Sequence, residues 1–337
     1  GPLTLLDNTT GKLKHFIVEP FIPHSQKEEY YIAITTEPTV DTIHISTEGG
    51  VNIEENWGSV TSIKIPVEAT NEQIEDIIQK NLPKEVKKTP FSKFTISFYT
   101  FFKDMHFSYL EINPIVIQDN TVHLLDAVAR IDDTAKFLVE EEWGKIEFPT
   151  PFGRKEQTSE EKAIKILDED SGASLKLTIL NKNARIWTLV AGGGASVVYA
   201  DTIAKTWNIS ELANYGEYSG NPTTNETYIY TYTLLNLMLK NKEIKNKILI
   251  IGGAIANFTD VAKTFKGIIQ AFEKFGSELK KQNVKIYVRR GGPNFEIGLK
   301  NMQDTGKRLN IPIEVYGPKT HITDIVRIAY KKEQKGA

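Results

Sequence analysis

Short apolar runs separated by turn residues open the chain. The runs His15-Phe16-Ile17-Val18, Tyr30-Tyr31-Ile32-Ala33-Ile34 and Ile43-His44-Ile45 are divided by Pro, His and Glu-Gly-Gly punctuation. They predict a small antiparallel sheet between Lys12 and about Val51. Thr70-Asn71-Glu72-Gln73 has capping-box spacing ahead of Ile74, Ile77 and Ile78 at helical period, which predicts a helix ending near Pro83. Phe94 to Phe107 is rich in aromatic residues and too long for one strand. Tyr109–Ile117 and Thr121–Val128 read as two strands joined by Gln118-Asp119-Asn120, a pairing that brings Asn113 beside Asp126.

The pattern changes after Glu147–Lys155, where Pro149, Pro151 and Gly153 interrupt any periodicity and mark a linker. The expected organisation is a first domain over 1–146, a linker over 147–160 and a second domain over 161–337. In the second domain compact apolar runs at Arg185–Val190, Lys247–Ile251, Val284–Val288 and Ile311–Val315 alternate with helical patterns at Val197–Thr206, Thr259–Phe275, Asn294–Thr305 and Thr320–Tyr330. Strands alternating with helices predict an α/β fold with a doubly wound parallel sheet, covered on both faces and binding ligands at the carboxyl ends of its strands.

Composition narrows the function. At 337 residues two hydrophobic cores are expected. Lys plus Arg total 41 against 43 Asp plus Glu, a formal charge of -2 that offers no field for gathering nucleic acid or anionic lipid. No apolar run is long enough to span a membrane. With no Cys, thiolate metal sites and thiol nucleophiles are excluded, and a reducing compartment is consistent. None of the six His has metal-ligand spacing, so all read as structural or surface groups. The opening Gly1-Pro2 reads as the remnant of a cleaved tag, so no targeting signal can be read there.

Three predicted strand ends carry chemistry suited to an anion. Gly192-Gly193-Gly194-Ala195-Ser196 follows one strand and opens a helix, so backbone N–H groups and the positive end of the helix dipole would face a phosphate or carboxylate. It is not the dinucleotide fingerprint, because Val197 stands where the third Gly belongs; plain tight-turn glycines remain the alternative. Ile255-Ala256-Asn257-Phe258-Thr259 follows a second strand, with Thr259 placed to cap the next helix; it is either a polar nest for a carboxylate or an ordinary cap. Arg289-Arg290-Gly291-Gly292-Pro293-Asn294 ends a third, and a guanidinium there suits a carboxylate through paired hydrogen bonds, unless it is simply solvated. In the first half Glu111, Asn113 and Asp126 supply oxygen ligands suited to Mg2+, with a buried polar pair as the alternative.

Taken together, Leu110-Glu111-Ile112-Asn113-Pro114-Ile115, Ser171-Gly172-Ala173-Ser174-Leu175-Lys176, the Ala191–Tyr199 and Glu211–Gly220 runs, Gly253–Thr259 and Val288–Asn294 resemble the ATP-citrate lyase family over nearly the whole chain, Phe16 to about Ala329. The resemblance implies a partial ATP-grasp domain followed by a flavodoxin-like citrate-binding domain. It implies a cytoplasmic enzyme that makes citryl-CoA through phosphohistidine and citryl-phosphate and cleaves it to acetyl-CoA and oxaloacetate. By motif, Ser219, Gly220, Asn257, Phe258, Thr259, Phe275 and Arg290 would hold citrate. Pro20, Ile22 and Glu29 would contact ATP or ADP, and Asn113 and Asp126 the nucleotide's Mg2+. Asp168, Ser171 and Ala173 match a loop used around phosphate and metal, and Glu111 a carboxylate that meets the phosphohistidine. Gly193, Gly194 and Ala195 would form a helix N-terminus facing the phosphate. The front of the nucleotide clamp and the phosphohistidine segment are not found here. The resemblance therefore implies a partner half or second subunit that carries the phosphohistidine and the lyase region and binds most of CoA, in a hetero-oligomer, with no turnover by this chain alone. Two rival readings are a succinyl-CoA synthetase-like β subunit and a non-catalytic citrate-sensing or scaffolding module.

Overall fold

The computed structural model describes residues 3–5, 8–50, 53, 57–144, 150 and 152–335. The chain divides into two compact units, residues 1–154 and 155–337. Gly1, Pro2 and residues 147–149 and 151 of the expected linker lie outside the described residues.

In the first unit β1 (Leu3–Thr4) and β2 (Thr10–Gly11) pair as a short ribbon. The main sheet is antiparallel and contains β3 (Glu29–Thr36), β4 (Val40–Ser46), β5 (Thr61–Pro66), β6 (Phe107–Gln118) and β7 (Thr121–Leu124) in the order β5-β4-β3-β6-β7, with β8 (Ala127–Ile131) also on β6. Helices α1 (Asn71–Asn81) and α2 (Pro90–Asp104) cover one face, and a four-residue helix α3 (Glu140–Trp143) follows. The period of two decides which side chains meet those helices. Ile32, Ile34, Ile43, Ile45, Ile63, Ile65, Leu110 and Ile112 pack with Ile74, Ile78, Phe98 and Phe102, whereas Tyr31 and Ala33 face the other way.

The expected α1 is present with its capping box: the Thr70 side chain accepts from Gln73 N–H and the Gln73 side chain from Thr70 N–H. The aromatic stretch resolves into α2, whose Phe91, Thr95, Phe98, Tyr99 and Phe102 recur at helical spacing on the buried side. His15–Val18 is not a strand, and Phe16, Ile17 and Val18 are exposed. The physical reason is that both edges of β3 are already taken, by β4 and β6, so alternation alone gives this run no ladder to join. Thr121–Val128 is two strands rather than one, broken at Leu125-Asp126 where Asn113 N–H donates to the Asp126 carbonyl at 3.2 Å.

The second unit begins with α4 (Ser159–Glu169) and an antiparallel pair, β9 (Ser174–Ile179) with β11 (Asn214–Ser219). Its parallel sheet is β10 (Ile186–Ala191), β12 (Ile248–Gly253), β13 (Lys285–Arg289) and β14 (Ile313–Tyr316), in that order. The connecting helices are α5 (Gly193–Thr206), α6 (Thr224–Lys240), α7 (Val261–Lys281), α8 (Phe295–Leu309) and α9 (Asp324–Lys335). Alternate strand residues serve opposite layers. Trp187, Leu189, Leu249, Ile251, Ile286 and Val288 pack with α6, α7 and α8. Ile186, Val190, Ile248, Ile250 and Tyr287 pack with Tyr199 and Ile203 of α5 and Ile325 and Val326 of α9. Near-continuous apolar strands are the mark of a sheet buried on both faces, as expected from the sequence. One boundary differs: Asp260, not Thr259, caps α7, its side chain accepting from Lys263 N–H at 2.9 Å. Thr259 is buried instead.

Candidate functional site

The carboxyl ends of β11, β10, β12 and β13 lie side by side in the second unit. After β10 the chain turns at Gly192, with φ of 99°, directly into α5. The first turn of α5 is fixed by Ser196, whose hydroxyl donates to Gly216 O at 2.5 Å. Glu217 reaches across to the same place: a Cβ on Gly193 would lie 3.2 Å from both of its carboxylate oxygens. Those oxygens accept from Ser174 Oγ at 3.2 Å and Ser219 Oγ at 3.0 Å. A carboxylate beside a helix N-terminus is favoured by the helix dipole. At the next turn Gly220, with φ of 74°, packs against Ala173, its Cβ position 3.2 Å from Ala173 Cα.

The end of β12 is shaped by two glycines for two large neighbours. A Cβ on Gly252 would collide with the Tyr199 ring, 2.7 Å from both Cε atoms, and one on Gly253 with Arg290 Nη1 at 2.5 Å. Successive strand residues point to opposite faces, so the doublet admits a tyrosine on one side and a guanidinium on the other. The two arginines at the end of β13 then differ completely. Each nitrogen of Arg289 donates to a backbone carbonyl: Nη1 to Gly253 O at 2.7 Å, Nε to Thr320 O at 3.0 Å and Nη2 to Pro318 O at 3.2 Å. Arg290, 5% exposed, donates Nη1 to Ala254 O, while its buried Nε has no partner among the described residues.

No ion pair links Arg290 to a carboxylate among the described residues; its electrostatic neighbours are Tyr218, Tyr199 and Arg289. Burial, and to a smaller extent Arg289, pull its pKa below the ordinary guanidinium range, while the two tyrosines oppose this. The hydroxyls of Tyr218 and Tyr199 are each pushed up to about 12 by burial. A buried cation without a counter-charge costs several kcal/mol (roughly 3–5 where measured), and an anion beside Arg290 would offset that cost. The loop after β12 closes on it, with Ala256 N–H donating to Gly291 O at 2.9 Å, which leaves Asn257 and Phe258 exposed at its lip.

Elsewhere in this unit Asp168 accepts from Leu175 N–H at 2.7 Å and pairs with Lys176. Ser171 donates to Glu226 Oε1 at 2.7 Å and accepts from Ala173 N–H. Phe275 stands about 14 residues, roughly 20 Å, along α7 from its N-terminus. There it packs on Tyr232 at 5.0 Å between ring centres. A surface groove along α7 and α8 is lined by Lys263, Lys266 and Arg308 against Asp260, Glu273 and Asp304, so its charges cancel and give an anion no net attraction.

In the first unit the sheet face opposite the helices carries a polar row. Tyr31 and Tyr109 both donate to Glu111 Oε2, the former at 3.4 Å, and Arg130 lies 5.6 Å over the Tyr109 ring. Burial and the Glu111 carboxylate push the Tyr109 hydroxyl up to about 12. The Asn113 amide is bonded on both sides to Gly50, accepting from its N–H at 2.7 Å and donating to its carbonyl at 3.2 Å. Asp126 is exposed, with Oδ1 accepting from Ala127 N–H. Glu29 lies 3.3 Å from His24 Nε2, and His24 Nδ1 contacts the Ile22 carbonyl at 2.7 Å, so Ile22 and Glu29 are tied through one imidazole. Pro20 is exposed on the preceding extended stretch.

Comparison with known proteins gives these units a family. Residues 155–332 match a model described as ATP citrate lyase citrate-binding, and residues 3–143 one described as ATP-citrate synthase ATP-grasp domain. The chain belongs to the ATP-citrate lyase family. It is similar to the ATP-citrate synthase of Homo sapiens, 47% identical over 98% of this chain and 30% of that protein. It is also similar to an ATP-citrate synthase alpha chain of Arabidopsis thaliana, 45% identical over 95% of this chain and 75% of that one. A solved ATP citrate lyase from Methanothrix soehngenii, in complex with citrate and coenzyme A, superposes with a TM-score of 0.88 at 47% identity, over 98% of this chain and 78% of that one. The chain thus spans about a third of the animal relatives and three quarters of the plant ones.

Within the ATP-citrate lyase frame, the structure brings Gly193, Ser219, Gly220 and Ala173 to one rim of the second unit, with Arg290 and the 254–259 loop converging beside them. It does not bring Phe275 there, because α7 carries that residue away to Tyr232. Glu217 and Tyr218 are rim residues that motif reading passed over. The alternation Asn214-Tyr215-Gly216-Glu217-Tyr218-Ser219 contained the signal, since period two puts Glu217 and Tyr218 on opposite faces of one strand end. Among the described residues no three His, Cys, Asp or Glu side chains gather as a metal cluster, and no helix is long and apolar enough to cross a membrane.

Proposed function

We propose that this chain is the citrate- and nucleotide-binding part of an ATP-citrate lyase. The observation that carries the reading is Arg290, a buried guanidinium at a strand end with an idle N–H and no carboxylate partner of its own. Citrate would lie over the ends of β10 to β13, one carboxylate against Arg290 and a second near Asn257, Thr259 and Ser219. Fixed donors around a carboxylate cost no reorganisation when charge moves, so positioning and neutralisation would carry the rate. The remaining carboxylate would attack the phosphorus of a phosphohistidine supplied by a partner half. The P–N bond breaks, the imidazole leaves, and citryl-phosphate forms; the thiolate of CoA then displaces phosphate from the acyl carbon. Glu217, beside the N-terminus of α5, would accept the imidazole N–H while the helix faces the phosphate.

The first unit fits a nucleotide with Mg2+ in donor chemistry: Asp126 keeps the hard oxygen Oδ2 outside its bond to Ala127, and Asn113 Oδ1 has a second lone pair beyond the one that accepts from Gly50 N–H. When bound, the metal would neutralise phosphate charge. Pro20, Ile22 and Glu29 would border the base and ribose, and Glu111, held by Tyr31 and Tyr109, would meet the phosphohistidine. The Asp168, Ser171 and Ala173 loop would border the phosphate end of the citrate site. Calorimetric titration tests the core of this. Citrate is expected to bind the full chain in preference to succinate, with Arg290→Ala weakening it roughly 100-fold through loss of a charged hydrogen-bonding pair. Undiminished binding by that variant would remove the proposal. Turnover from ATP, CoA and citrate is expected only after mixing with a half that carries the phosphohistidine.

A further inference from the structure

Tyr218 has a hydroxyl that packing does not explain. The residue is 1% exposed in the layer formed by Leu175, Trp187 and Tyr230. Its oxygen is buried with no hydrogen-bond partner among the described residues. Tyr230, 6.3 Å away between ring centres, shows what a structural tyrosine does in the same layer: its hydroxyl donates to Lys176 O at 2.7 Å. Phenylalanine would fill the Tyr218 position without leaving a polar atom unpaired, so the oxygen is there for something else.

Arg290 comes to the same face: its guanidinium packs against Gly253, which follows Leu249 and Ile251 on the side of the sheet that holds Tyr218. Each is the other's leading electrostatic neighbour, yet Tyr218 Oη and Arg290 Nε are both unpaired and make no hydrogen bond to one another. Two donors so placed call for one shared acceptor with lone pairs in two directions, which a carboxylate oxygen has. The Tyr199 hydroxyl also lacks a full hydrogen bond, but it lies against the Gly253 peptide and belongs to the layer on the opposite face.

We propose that Tyr218 Oη–H and Arg290 Nε–H together hold one carboxylate oxygen of the bound tricarboxylate, so that Tyr218 is a binding residue at the floor of the site. The proposal rests on the citrate reading above and adds a residue to it. The test uses the full chain with Tyr218→Phe, Tyr199→Phe and Arg290→Ala, measuring citrate affinity by calorimetry and melting temperature without citrate. Tyr218→Phe is expected to melt at or above wild type, because it removes an unpaired buried hydroxyl, and to bind citrate at least about 10-fold more weakly, because a charge-assisted hydrogen bond is lost. Tyr199→Phe is expected to bind as wild type does. If Tyr218→Phe keeps wild-type affinity while Arg290→Ala loses it, the hydroxyl serves no ligand and only this inference falls. If Tyr218→Phe melts lower, the hydroxyl is structural and the inference is overturned as well. If wild type itself fails to bind citrate, both readings go together.

Discussion

At the scale of single residues, the two arginines ending β13 show where sequence stops informing. Arg289 and Arg290 are adjacent, identical in chemistry and equally suited to a carboxylate on paper. Packing separates them: each nitrogen of Arg289 donates to a carbonyl, and Arg290 keeps an idle donor because no carbonyl comes to its Nε. The glycines before them carry the same lesson. Gly252→Ala would press into a Tyr199 ring that is wholly buried and cannot retreat. A loss of about 1–3 kcal/mol from overpacking is expected, visible as a lower urea midpoint. Gly253→Ala meets the movable end of a side chain instead. It should cost less stability but displace the guanidinium, and citrate affinity is expected to fall at least about 10-fold, as a shift of ~1 Å at a charged contact implies.

At the scale of elements, the parallel strands were legible because burial on both faces writes an unbroken apolar run, and the amphipathic helices because their period is different. The β9–β11 pair escaped notice. Its strands are separated by β10 and α5 in the chain, and Asn214, Glu217 and Ser219 make β11 look like a polar loop. Cap identity also escaped, since Thr259 and Asp260 are both good caps and only geometry chooses. Asp260→Ala is expected to destabilise the chain by about 1 kcal/mol, measured by chemical denaturation at neutral pH. The Lys263 N–H, against a small opposing effect of burial and with help from Asn294, holds the Asp260 carboxyl below its ordinary range. Because the folded pKa is the lower one, this stabilisation is complete above the unfolded pKa and fades as pH falls through the folded value. The gap between Asp260→Ala and wild type should therefore narrow as melts are taken from about pH 6 towards about pH 3.

At the scale of the whole molecule, the second unit holds two hydrophobic clusters of its own, one on each face of its sheet. A fragment of residues 155–337 is expected to unfold in one cooperative transition and to bind citrate within about 2-fold of the full chain, since a domain with its own core folds alone. Loss of binding in a folded fragment would place part of the site elsewhere. The change of pattern near residue 150 is what leads the sequence to suggest two domains, but the Arg290 and Tyr218 arrangement could not be read there, because it joins strand ends far apart in sequence. The last strand of the sheet has a further consequence. β14 is four residues long, lies between Pro312 and Pro318, and carries Glu314 paired with Lys332 at 2.6 Å. Prolines offer no N–H to an incoming strand and a charged, truncated margin gives it little to zip onto, so this molecule is guarded there against edge-on self-association and the fibrils that grow from it.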